Sequence, residues 1–184
     1  MSSDDLGKQL DSFDPAERRK ALEALCGKAE SGEVELPPPI EGVNLHFHTF
    51  FSYNCCGYSP SRIAWLARKA GLAFAGIVDF DVLDGLEEFY RAGEGLGLET
   101  TVGIETRVFV PEFADREINS PGEPGIAYHM GVGVPSAALE GDAAAFQRKL
   151  AATSEQRNRD LLCRVNDYLE AIALDYDTDV LPLT

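Results

Sequence analysis

Three apolar runs of strand length, VNLHFH (43–48), FAGIVDF (74–80) and ETTVGIETRVFV (99–110), are separated by segments whose apolar residues recur at helical spacing. This alternation leaves few folds open. Strands joined through a helix run parallel, and the helix must cover one face of the sheet they form. Between the first two runs, Ser59-Pro60 opens a helix in which Ile63, Leu66, Ala67 and Ala70 share a face and Gly71 ends the element. Between the second and third, a shorter helix after Asp84 sets Leu86, Phe89 and Tyr90 on one side, and Gly93, Gly95 and Gly97 form a glycine-rich lead into the strand. Residues 111–125 have the polar, Pro and Gly content of a surface loop and return into a fourth strand, GIAYHMGVGV. The expectation is an α/β domain of parallel strands with crossover helices.

The flanks read differently. Asp14 as cap, Pro15 at the first helical position and Glu17 closing a capping box start an N-terminal helix with Leu22 and Leu25 on its apolar stripe. EVELPPPIEG (33–42) then favours an extended polyproline linker. The expected organisation is an N-terminal helix and Pro-rich linker over 1–41, docked on a main domain over 42–184. Past Pro135 the chain turns helical through AAAFQRKLAAT and SEQRNRDLLCRVNDYLEAIAL, where Leu161, Leu162, Val165, Tyr168 and Leu169 give an apolar face. The final DYDTDVLPLT reads as a loop.

A formal net charge of −15 over 184 residues argues against sequence-independent binding of long nucleic acid, and against anchoring on an anionic membrane. No apolar stretch approaches the roughly 20 residues of a spanning helix. The acidic N-terminus is unlike a signal peptide, so a cytoplasmic protein is the default. Cys26, Cys55, Cys56 and Cys163 show no Cys-x-x-Cys spacing and are expected as reduced thiols, with Cys55 and Cys56 close enough to His48 in sequence to be soft metal donors. The sequence does not specify an oligomeric state.

The chemistry gathers at strand ends. In His46-Phe47-His48 the two imidazoles project from one face of a strand and can converge on a divalent ion. Asp79 closes the second strand, Glu105 lies on the third and His129, the chain's last histidine, on the fourth. In α/β sheets and barrels, groups of this kind meet beyond the carboxyl ends of adjacent strands.

Four motifs in order resemble those of the PHP (polymerase and histidinol phosphatase) domain. NLHFHTFFS resembles its first motif, D-L-H-x-H-T-x-x-S-D-G. GIVDFDVLDGL is similar to the second, T-D-H-D-T-x-x-G, VGIET to the third, and AYHMGVGV to the following His-containing strand. The resemblance runs from about Gly42 onward. It implies part of a distorted TIM-like (β/α) barrel and a cluster of zinc, manganese or iron ions. It also implies hydrolysis of a small phosphorylated substrate by metal-activated water. His46 and His48 would ligate the first ion, Glu105 would bridge to a second and His129 would ligate it, while Asp79 would orient a neighbour by hydrogen bonding. The chain departs from the pattern at Tyr53 and Asn54, where Asp and Gly are usual, and at Phe80, where His is usual. Both lost ligand positions belong to a third ion, so two at most are expected, unless Cys55, Cys56, Asp81 or Asp84 substitutes. Further ligands, a His or Cys, an Asp and a final His, would fall on strands beyond Thr184. The contrasting expectation is a non-catalytic binding or structural domain with a degraded metal site. Arg157 and Arg159 on the late helix are candidates for phosphate contact.

Overall fold

The structure, a computed structural model, describes residues 1–53, 55–169 and 171–181 and divides into two compact units, Met1–Ala137 and Ala138–Thr184. Asn54, Glu170 and the last three residues of the terminal segment lie outside the described residues.

The first unit opens with two helices where the sequence pattern suggested one. Helix α1 (Ser3–Gln9) starts at a capping box in which Ser2 and Asp5 exchange hydrogen bonds. Helix α2 (Pro15–Glu30) is capped by Asp14, which accepts from the Ala16 N–H at 2.8 Å. Glu17 does not return to the Asp14 backbone. It accepts the Ser12 hydroxyl at 2.6 Å, and Ser12 Oγ accepts the Asp14 N–H at 3.1 Å, so Ser12 completes the box at one remove. Leu22 and Leu25 are buried as the stripe requires.

Strands β1 (Val43–Phe47), β2 (Phe74–Phe80) and β3 (Glu99–Phe109) pair in parallel, joined by helices α3 (Pro60–Lys69) and α4 (Leu86–Leu96). Strand β4 (Ile126–Val132) pairs antiparallel with β3 at the edge, giving the order β1-β2-β3-β4. The parallel expectation therefore holds for three strands and is corrected at the fourth. Residues 111–125 form a short 3-10 turn and a loop rather than a crossover helix, and a connection that does not cross over brings the next strand back antiparallel. That excursion is tied at its base by the Val110 N–H to the Gly125 carbonyl at 2.7 Å and by an Arg107–Glu123 ion pair.

Helix α3 ends as Gly71 predicts: the Leu72 N–H reaches the Ala67 carbonyl and the Gly71 N–H the Arg68 carbonyl, with Gly71 at φ +75°. Helix α4 corrects the reading of Gly93 and Gly95 as a lead-in, since both lie inside it. A Cβ at Gly93 would sit 2.5 Å from Thr100 Cγ2, so this glycine lets the helix lie on the start of β3. On the helical side, Arg18 from α2 pairs with Glu88 from α4 through bonds of 2.5–3.0 Å, and Glu88 also accepts the Ser61 N–H and hydroxyl from α3. Burial alone would raise the Glu88 carboxyl, but the Arg18 and Ser61 hydrogen bonds overcome it and hold it below its ordinary value.

The second unit consists of helix α5 (Gly141–Leu169) and a π-helical turn, Tyr176–Val180. The two helical stretches read from the sequence form one element. The terminal segment, expected as a loop, closes into that turn because Asp175 caps it, accepting from the N–H groups of Asp177 and Thr178. Asn166 brackets the Leu174 backbone with bonds of 2.8 and 3.0 Å, and Arg159 pairs with Glu155 and Asp177. Arg159, one of the two arginines expected to meet phosphate, is thus engaged by two carboxylates. Within α5 no residue is buried, and Leu161 and Tyr168 of the apolar face are exposed. No helix among the described residues is long and apolar enough to cross a membrane.

Candidate metal centre

Register decides which side chains of the sheet can meet. Phe80 of β2 pairs with Glu105 of β3, and Glu105 pairs with Met130 of β4, so these three share one face. Asp79 and Ile104, one residue back, point to the face covered by α3 and α4. Strand β1 carries an irregularity between Asn44 and Phe47, and His46 within it and His48 beyond it both stand on the Glu105 side.

There the two imidazoles converge. His46 Nε2 lies 3.1 Å and His48 Nε2 3.3 Å from the same oxygen, Glu105 Oε2. Glu105 is 5% exposed and His48 is half-buried, whereas His46 is open to solvent. Ligand atoms of the three residues all fall within 4.8 Å of one another, and among the described residues this is the group able to hold an ion. Two neutral imidazoles and a carboxylate suit zinc or another first-row divalent cation. Burial foremost lowers the His48 pKa, with His46 adding to it and the Glu105 charge opposing. The depressed value favours the neutral ring that a ligand must be.

A polar network stands behind His48. Asp79, 2% exposed, accepts from the Thr49 N–H at 2.6 Å, the Thr49 hydroxyl at 2.7 Å and the Ser52 hydroxyl at 3.1 Å. Ser52 Oγ in turn lies 3.5 Å from His48 Nδ1, the ring nitrogen turned away from Glu105. Burial raises the Asp79 carboxyl and the Thr49 and Ser52 bonds resist it. The sequence pattern assigns no role to Thr49 or Ser52, although both lie within the run NLHFHTFFS. Hydroxyls spaced one and four residues after His48 in an otherwise apolar run were the available signal.

The structure brings together His46, His48 and Glu105, and sets Asp79 behind them. It does not bring His129 to the group. His129 pairs with Thr106, which places it on the face opposite Glu105, and it is exposed. Thr106 on that face donates to Asp81 Oδ1 at 2.7 Å. Cys55 and Cys56 are free thiols lining a cavity of ≈ 460 Å³ beside His46 and His48, but neither joins the ligand group.

No protein-family model matches the chain. In sequence it is 31% identical over 75 residues to the error-prone DNA polymerase of Cutibacterium acnes, a match covering 41% of this chain and 7% of the polymerase. In structure it is similar to a protein of Bifidobacterium adolescentis named as a metal-dependent phosphoesterase. That match has a TM-score of 0.54 and 23% identity over 77% of this chain and 43% of that one. It is also similar to an amidohydrolase of Chromobacterium violaceum solved with bound sulfate and no metal, at a TM-score of 0.52 and 21% identity, covering 73% of this chain and 41% of that one. The chain thus spans less than half the length of each. The two structural likenesses show the fold: an α/β sheet, rich in parallel strands, of the kind found in part of a barrel.

Proposed function

We propose that this chain is the metal-binding part of a PHP-type phosphoesterase, which hydrolyses a small phosphoric ester with metal-activated water, acting when further strands complete the barrel. The observation that carries the reading is the convergence of both Nε2 atoms on one buried carboxylate oxygen, Glu105 Oε2. The likeness to a structure named as a metal-dependent phosphoesterase supports it, as does the sulfate held by another protein of this fold.

His46, His48 and Glu105 would hold the ion. When bound, it supplies Lewis acidity, lowering the pKa of water and drawing charge from a phosphoryl oxygen. His48 contributes a ring whose neutral form burial favours and which Ser52 approaches at Nδ1. Asp79 fixes Thr49 and Ser52 and so positions the loop that follows β1. Exposed His46 leaves the group open to solvent on one side, where a substrate can approach. His129 on the far face favours the second reading, a binding domain without turnover.

The test is hydrolysis of p-nitrophenyl phosphate and bis(p-nitrophenyl) phosphate, by the chain and by the longest natural polypeptide that carries it. The expected activity requires zinc or manganese, disappears with chelator and is lost in His46→Ala. Metal retention without hydrolysis in either form selects the binding domain. Turnover that survives complete metal removal refutes the mechanism.

A further inference from the structure

We infer that Phe80 and Tyr53 close the metal centre to a single ion and hold the His48 ring in its ligating orientation. The inference rests on the metal reading above and goes further, to the number of ions and to two positioning residues. Phe80 stands beside Glu105 on the same sheet face, so the side chain at position 80 borders the carboxylate. Its ring lies between two others: His48 stacks on it at 4.7 Å and 9°, and Tyr53 stacks on it at 4.3 Å and 9°. Tyr128 from β4 leans on the same ring at 5.6 Å and 58°. Where a second ion would need donor atoms beside Glu105, the neighbouring position on β2 carries the aromatic ring of Phe80. Of the other expected donors, Asp79 and His129 lie on the other side of the sheet, Asp81 accepts the Thr106 hydroxyl, and Cys55 and Cys56 line the cavity beside the histidines without joining the ligand group.

The stack also acts on the ligand itself. His48 is held at Nε2 by Glu105, approached at Nδ1 by Ser52 and faced by the flat side of Phe80. A nearly parallel ring resists rotation of the imidazole about its own side-chain bond, which would carry Nε2 away from Glu105. Tyr53 backs Phe80 from the other side and completes the clamp. Shape and flatness at position 80 are therefore the expected requirements, rather than apolar volume alone.

The experiment titrates the purified chain with zinc by calorimetry and with cobalt by visible absorption, alongside Phe80→Leu, Phe80→Tyr, Tyr53→Leu and His46→Ala. Wild type should take one ion per chain, with no thiolate charge-transfer band from Cys55 or Cys56. Phe80→Leu and Tyr53→Leu should weaken binding about tenfold, the loss typical when support behind a ligand is removed. Phe80→Tyr, which keeps the flat face, should bind as wild type. Two ions per chain, or wild-type affinity in both leucine variants, overturns the inference while leaving the metal reading intact. Absence of stoichiometric binding by wild type overturns the metal reading and this one with it. Tyr53 is half exposed, so its variant reports on binding even if Phe80→Leu fails to fold.

Discussion

The two sides of the sheet each bury a glutamate, and the surroundings of the two could hardly differ more. On the helical side, Glu88 is saturated by a guanidinium, a hydroxyl and a backbone N–H, and the bonds tie α2, α3 and α4 into one block. On the other side, Glu105 meets two imidazole nitrogens at one oxygen, beside the exposed side chains of Met130 and Val132. A buried carboxylate with a permanent cation fastens the fold. One facing two imidazole nitrogens at a single oxygen is a set of donors of the kind that can hold a cation. The contrast predicts that the two glutamate sites fail differently when broken.

The largest effect belongs to the helical side. Arg18→Ala leaves Glu88 buried without its cation and should destabilise the fold by about 3–5 kcal/mol in urea unfolding. A loss under about 1 kcal/mol would mean that the pair is ornamental. Glu105→Gln should leave the unfolding transition closer to wild type while lowering zinc affinity by at least about a hundredfold. Equal destabilisation by the two variants would erase the distinction.

Acid sharpens the same comparison. The folded Glu88 carboxyl lies below its ordinary value of 4.5, so its contribution to stability is fully present above that value and is lost as pH falls through the folded pKa. Unfolding free energy measured against pH should therefore drop below pH 4.5 in wild type, with a shallower acid limb in Glu88→Gln. An unchanged acid limb in that variant would assign the loss to other groups. The smallest effect is expected from Cys55→Ser with Cys56→Ser, which should leave zinc stoichiometry and affinity unchanged. A measurable weakening would bring a thiol into the ligand set.

Much of this architecture is legible in local pattern. His46-Phe47-His48 and Glu105 announce the centre because alternation along a strand fixes which side chains share a face, and the register of parallel β2 and β3 keeps that face continuous. Helix α3 is legible from Ser59-Pro60 to Gly71 because its caps are local. The direction of β4 is not local. It depends on what residues 111–125 do in space, and GIAYHMGVGV, interrupted by glycines, alternates too weakly to announce which face His129 takes. Gly93 misleads for a related reason: composition suggests a break, while contact with Thr100 makes a glycine the fitting helical residue there. Phe80 and Tyr53 read as ligands missing from a pattern, and only their stacking reveals what they do instead.

The antiparallel pairing of β3 and β4 makes loop length a determinant of chemistry. Side chains alternate along both strands, so sliding β4 by a single residue would exchange Met130 for His129 opposite Glu105. A one-residue insertion or deletion in the 111–125 excursion would then alter the donor set without changing any donor. In relatives of this chain, the spacing between the glutamate and the following histidine should carry as much information about metal content as the residues themselves.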